Sequence, residues 1–256
     1  MNQLNNISTP KGRKVFSRRI LFFSFFILAV IALALGLWLK RTMDQEIKQD
    51  NIEKEITTEK EKGGVRNLHK KYKDMIGWLE IKGTGFSYPV MQTGIKGHHE
   101  GDWQYYLHRD VHGDYSFYGT PFLDVRCKTD SDNLIIYGHN MNSGAMFGNL
   151  DFYADETYYQ EHPFAYLQIE DSIQEYRIVT GLKADRNLFP FQQKLPDVAA
   201  VQEYLKAAKQ REVFETGDDY LKCIYDKVLT LVTCSYEWSG ARTVSYTHLT
   251  LPTNSR

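Results

Sequence analysis

The sequence predicts a mainly β domain, a barrel or sandwich with one inserted helix, held behind a single transmembrane anchor. Three observations predict it: a charge-free apolar run at Ile20–Leu39, many short β-rich stretches from Leu68 onward, and one helical pattern late in the chain. Of the 256 residues 42% are hydrophobic and 25% charged, which fits one globular domain of ordinary size plus extra sequence and excludes a disordered chain. The 31 basic and 32 acidic residues leave a net charge of -1, so no nucleic-acid partner is expected.

The anchor comes first. A bilayer span needs about 20 apolar residues at roughly 1.5 Å each, and Ile20–Leu39 supplies them. The run continues as GLWLKR with no small-residue cleavage site, which favours a retained anchor over a cleaved signal peptide. Lys11, Arg13, Lys14, Arg18 and Arg19 precede it, whereas Lys40 and Arg41 are soon followed by Asp44 and Glu46. This asymmetry predicts a cytoplasmic N-terminus, residues 1–19, and everything after the span outside. Trp38 falls at the interfacial belt.

Residues 40–67 are rich in Glu, Lys and Gln and reach Gly63-Gly64, which reads as a polar stalk of helical composition. A surface helix packed on the domain is the alternative, because Ile47, Ile52 and Ile56 recur at near-helical spacing. From Leu68 the texture changes to IGWLEI, FSYPVMQ, GTPFLD, NLIIYGH, FAYLQI, EYRIVTGL and KVLTLVTC, separated by Gly, Asp and Asn. Short runs of this kind between turn signals predict an all-β barrel or sandwich. VAAVQEYLKAAKQRE, Val198 to Glu212, carries an apolar stripe at Val198, Val201, Leu205 and Ala208, predicting a helix between two late strands.

The chemistry concentrates near Cys234 and His139. Cys234 ends the β-branched run Val228–Thr233, and a rigid strand end can hold a nucleophile. His139 follows the stretch Asn133–Tyr137, and Arg242 lies eight residues beyond Cys234, across SYEWSGA, where a hairpin would return it beside the cysteine. Each residue alone also has a plain structural reading, since a cysteine in an apolar strand is usually an inert core residue.

The combination resembles a known family. TLVTC, Thr230 to Cys234, is similar to the TLxTC signature of sortases, the membrane-anchored cysteine transpeptidases of Gram-positive bacteria. YGHNM resembles the segment that carries the sortase histidine, and Arg242 falls where the sortase arginine is expected. DMIGWLEIKGTGFSYPVMQ, the YYL run Tyr105–Leu107, GTPFLD and the helix before the cysteine strand resemble class B sortases in particular. The resemblance covers residues 68–243 and implies a closed sortase-like β-barrel whose catalytic residues are Cys234, His139 and Arg242.

By this resemblance Cys234 attacks the carbonyl of a Thr in a C-terminal sorting signal, His139 moves the protons, and Arg242 holds the substrate backbone or the oxyanion. Tyr137, Thr233, Tyr106 and Leu107 are the expected substrate-binding residues. The implied partners are a surface protein or pilin bearing a sorting signal, a peptidoglycan precursor or other amine acceptor, and the membrane; no cofactor is implied. Imidazole and thiol titrate near about 6.5 and about 8.5, so a minor fraction carries the productive ion pair at neutral pH and the enzyme is expected to be slow. No third, acidic member is assigned. A cysteine peptidase that uses water as acceptor and a non-catalytic, membrane-tethered wall-binding β-domain stay open as alternatives.

Three cysteines cannot close a disulfide set, and Cys127 and Cys223 read as incidental thiols. His98, His99, His108 and His112 lack the spacing of a zinc motif, so no metal site is expected. Residues 244–256 fit least well: VSYTHLTLPT resembles the translation of a transposase-type adapter used in preparing sequencing libraries. If that tail replaces a native strand, the closing barrel strand is expected to be lost or poorly replaced, leaving the cysteine strand at an unpaired edge.

Overall fold

The computed structural model describes residues 12–94, 101–185, 191–210, 227–234 and 241–249, with Cys234 and the last strand described by backbone and register. Helix α1 spans Gly12–Lys71, and the chain divides into two compact units, Met1–Ile52 and Glu53–Arg256. In the first unit the side chains from Ile20 to Leu39 are all exposed, which for an apolar helix of this length marks a candidate membrane span.

Within the second unit α1 is interrupted at Gly64, whose φ of 69° lies in the left-handed region that favours glycine. The polar stretch is not solvated all round: Ile56, Val65 and Leu68 are buried. The Lys60 ammonium lies 4.3 Å above the Trp78 ring and 3.5 Å from Glu80. The carboxylate of Glu55 accepts from Lys71 Nζ at 3.0 Å and from the Tyr72 hydroxyl at 2.9 Å, and meets His112 Nε2 at 3.3 Å. These contacts fix the end of α1 on the domain.

Eight strands form a closed barrel: β1 (Met75–Ile81), β2 (Phe86–Met91), β3 (Phe122–Leu123), β4 (Asn133–Tyr137), β5 (Phe164–Ile169), β6 (Ser172–Asp185), β7 (Val228–Cys234) and β8 (Ala241–Leu249). Their order around the barrel is β1-β2-β3-β4-β7-β8-β6-β5, with β1 paired again to β5. Two pairings are parallel, β2 with β3 and β4 with β7; the remainder are antiparallel. Leu79, Phe86, Leu134, Leu167, Ile178 and Leu231 belong to one continuous buried core. β4 and β7 are apolar with almost no exposed position, as a parallel pair covered on both faces requires.

A six-residue helix α2 (Glu156–Glu161) precedes β5, and helix α3 (Val198–Lys209) separates β6 from β7, as the sequence predicts. Asp197 caps α3 by accepting from the Ala200 backbone N–H at 2.8 Å. The buried stripe is Val201, Tyr204, Leu205 and Ala208; Val198 is 37% exposed, because a first-turn residue stands at the rim of the contact.

The expectation of an unpaired edge at the cysteine strand is not met. β7 pairs with β4 on one side and with β8 on the other, and β8 pairs with β6 from Ala241 to Leu249. The local physical reason is composition: ARTVSYTHL is rich in β-branched and aromatic residues with no proline, so it can take up a ladder whatever its origin.

Candidate active site

The three residues that the sequence singles out lie at the ends of three neighbouring strands. In the parallel β4–β7 pair Tyr137 is opposite Val232, and the next amide, Gly138 N–H, donates to the Val232 carbonyl at 3.1 Å. His139 and Cys234 therefore leave the barrel side by side. In the antiparallel β7–β8 pair Cys234 is directly opposite Arg242. The topology joins residues separated by 95 and 8 positions at one rim of the barrel.

His139 is held from two directions. Its carbonyl accepts from the Phe147 N–H at 2.8 Å, closing the loop that follows β4. That loop is pinned by Asn140, which donates to Asp151 at 2.8 Å, and by the Met146 N–H, which donates to the Tyr88 hydroxyl at 3.0 Å. On the ring side, His108 lies with its centroid 5.2 Å from that of His139. The imidazole is half-buried, and burial pushes its pKa below the ordinary 6.5; a hydrogen bond to the Leu107 backbone opposes that shift, and the His108 ring adds to it. His139 Nε2 is buried and has no hydrogen-bond partner among the described residues.

Thr233, next to the cysteine, is 2% exposed, and its Oγ1 likewise has no partner among the described residues. Tyr137 lines a cleft of about 540 Å³ together with Trp103, Asp124, Val125 and Arg126. Its ring stacks on Phe122 at 5.5 Å and its hydroxyl donates to Asp124 at 3.1 Å. Asp124 in turn accepts from Arg126 Nε at 2.9 Å and Nη2 at 2.6 Å. Burial alone would raise the Asp124 pKa, but the bonds from Arg126 outweigh it and hold the carboxyl below its usual range.

Tyr106 is placed differently from Tyr137. It is 4% exposed and its hydroxyl donates to Asp74 at 2.9 Å, so its side chain ties the Tyr105–His108 turn to the start of β1. Leu107 is half-buried and bears on the site through its backbone. Asp74, Asp124 and Tyr88 are contributors that the residue patterns left without a role. Asp124 and Arg126, an acid and a base two residues apart in a turn, were the visible signal for one of them.

Cys127 is buried and its thiol is pushed up to about 11 by that burial, which makes it a poor nucleophile. Among the described residues no three His, Cys, Asp or Glu side chains gather as a metal site. Cys223, His98 and His99 lie outside the described residues.

No family model matches the chain. Sortase B of Listeria monocytogenes is 30% identical over 203 residues, covering 77% of this chain and 76% of that protein. Of the similar solved structures, Clostridium perfringens sortase B is 25% identical with a TM-score of 0.61, covering 72% of this chain and 97% of that one. A Staphylococcus aureus sortase B–substrate complex has a TM-score of 0.66 at 23% identity, covering 81% of this chain and 98% of that one. The barrel, the helix before the cysteine strand and the apolar N-terminal helix define a sortase fold with a candidate membrane anchor. The chain belongs to the sortase B family, and hence to the cysteine transpeptidases that anchor proteins at the cell wall.

Proposed function

We propose that Cys234, His139 and Arg242 carry out transpeptidation on a C-terminal sorting signal, cleaving after Thr and passing the acyl group to a cell-wall or pilin amine. The observation that supports this reading is the register: β4, β7 and β8 are adjacent, Cys234 is opposite Arg242, and His139 follows the residue next to Val232.

In this mechanism the Cys234 thiolate adds to the Thr carbonyl, and the tetrahedral intermediate collapses with loss of the C–N bond. The His139 imidazolium gives its proton to the departing amine. An acceptor amine then adds to the thioacyl carbon, loses a proton to His139, and expels the Cys234 thiolate. Arg242 supplies a planar, permanently charged donor for the developing oxyanion or the adjoining substrate backbone. Tyr137 and Thr233 flank the reacting centre, and the cleft beside Tyr137 receives part of the peptide. With its N-terminus in the cytoplasm, the chain acts outside the cell on a surface protein or pilin, with a peptidoglycan precursor or another amine as acceptor.

The test is incubation of the full chain, in detergent, with a pentapeptide library with and without added amine, followed by mass spectrometry of the protein and products. A thioacyl adduct on Cys234 and a new amide only when amine is present are expected. Hydrolysis that is indifferent to amine would make the protein a cysteine peptidase, and the absence of any adduct would leave a binding domain. Topology is checked separately: protease added to intact cells should remove the domain and spare an N-terminal tag.

A further inference from the structure

The segment Tyr105–Thr120 turns back on itself, and its hydrogen bonds follow a pattern. The Tyr106 carbonyl accepts from the Thr120 N–H at 2.9 Å and the His108 carbonyl from the Ser116 N–H at 3.1 Å. The hydroxyl of Thr120 donates to the Arg109 carbonyl at 2.9 Å. Between them lies the Leu107 peptide, whose carbonyl favours the His139 imidazolium, and the next residue, His108, sets its ring 5.2 Å from the His139 ring. Tyr106, bonded to Asp74, anchors the turn from below.

Gly119 is what allows this carbonyl its place. Its φ is +63°, and a Cβ there would lie 2.3 Å from the Leu107 oxygen and 2.9 Å from the Leu107 carbon and the Tyr106 oxygen. Backbone atoms cannot swing aside as a side-chain tip can, so any larger residue must move the Leu107 peptide itself. We propose that Gly119 is a positioning residue for acyl transfer: it leaves room for the Leu107 peptide, which carries the Leu107 carbonyl and the His108 ring to the His139 side of the turn, and this wall orients the imidazole toward the cysteine strand. The inference rests on His139 being the acid–base group of the reaction. Among the described side chains the other titratable group against the ring is His108, at 5.2 Å; the adjoining strand ends carry Cys234 and Arg242 in the backbone register.

The loop holds its own control. Gly113 also has a left-handed φ, +84°, but a Cβ there would meet only the Tyr105 hydroxyl, at 3.0 Å. Gly113→Ala therefore imposes comparable backbone strain without touching Leu107. Transfer rates of the full chain are measured against peptide concentration and pH for Gly119→Ala, Gly113→Ala, Thr120→Val and His139→Ala. Gly119→Ala is expected to lower kcat roughly 10- to 100-fold with little change in KM, the scale of a small misplacement of a reacting group. It should also move the acid limb of the pH profile to lower pH, because the lost acceptor favoured the imidazolium. Thr120→Val, which only loosens the loop, should move both in the same direction by less, and Gly113→Ala should move neither.

A wild-type kcat and acid limb in Gly119→Ala would overturn the proposal, as would equal losses in both glycine variants with no shift of the limb. Should Gly119→Ala not fold, Thr120→Val decides, and an unshifted limb there overturns it too. Transfer surviving in His139→Ala would instead remove the acid–base assignment, and this proposal with it. An inactive His139→Ala beside unaffected loop variants sinks the positioning role alone.

Discussion

The two ends of the parallel β4–β7 pair are built on opposite principles. At the starting end Asn133 and Thr230 are fully buried, and their polar atoms are spoken for: Thr230 Oγ1 donates to Asn133 Oδ1 at 2.8 Å, and Asn133 Nδ2 donates to the Gln192 carbonyl at 2.7 Å and to the Tyr204 hydroxyl at 3.3 Å. At the finishing end His139 Nε2 and Thr233 Oγ1 are buried and have no partner among the described residues. The same two strands thus carry a closed polar network that links the barrel to α3 and an open one that can meet a substrate. Leaving a buried polar group unpaired costs about 1–3 kcal/mol, so among the described residues the finishing end carries the larger desolvation cost.

The largest expected effect breaks the comparison at its chemical end. Cys234→Ala should abolish the thioacyl adduct, while Cys127→Ala leaves it, since Cys127 is buried with a raised pKa; intact mass after incubation with peptide decides between them. Arg242→Lys should lower kcat/KM by about 100-fold, because lysine keeps the charge and loses the planar fork of donors. A lysine variant as fast as the parent would show that charge alone is used.

Asn133→Ala should act in the opposite sense. Deleting its amide leaves Thr230 Oγ1 and the Gln192 carbonyl unpaired, and roughly 1–3 kcal/mol of stability should go, visible as a lower denaturation midpoint. The rate of the folded fraction should hold. Thr233→Val is the mirror experiment. Replacing an unpaired hydroxyl with a methyl of like size should raise stability by about 1 kcal/mol while kcat/KM falls, if the hydroxyl meets the substrate. A stability loss in Thr233→Val would mean that its hydroxyl is satisfied in the protein after all.

The smallest effect is on pH. The fully protonated Cys–His pair has no thiolate and is inactive; as pH rises the first proton leaves from the group with the lower pKa, here the imidazole. Burial lowers the His139 pKa, so the acid limb of kcat/KM should lie below the ordinary 6.5, and His108→Gln should move it upward by removing a repelling neighbour. The sign for stability is the same: a histidine favoured neutral in the fold contributes stability that is lost as pH falls below 6.5. An acid limb at or above that value would show that His139 is not the group being titrated.

Much of this was legible in the residues. The charge-free run Ile20–Leu39 announces its helix because so long and so nearly unbroken an apolar stretch has few other uses, and Val228–Cys234 and Asn133–Tyr137 read as buried strands because they are largely apolar without alternation. His139 and Cys234 stood out because each ends such a run. Val244–Leu249 gave no such sign: its likeness to an adapter sequence implied an unpaired edge, whereas its β-branched residues pair on both sides.

The chain alone thus determined the long apolar helix that is a candidate anchor, the β-rich domain, the late helix and the residues worth watching, since those follow from hydropathy, local propensity and short patterns. Only the tertiary structure decided that β4 is the neighbour of β7, which sets His139 beside a cysteine 95 residues away, since strand order depends on the packing of the whole barrel. It also decided that Tyr106 is an anchor bonded to Asp74, and that Gly119 faces the Leu107 carbonyl. The first joins two side chains far apart in sequence, and the second turns on backbone atoms that every residue possesses, so no local pattern of side chains reveals either.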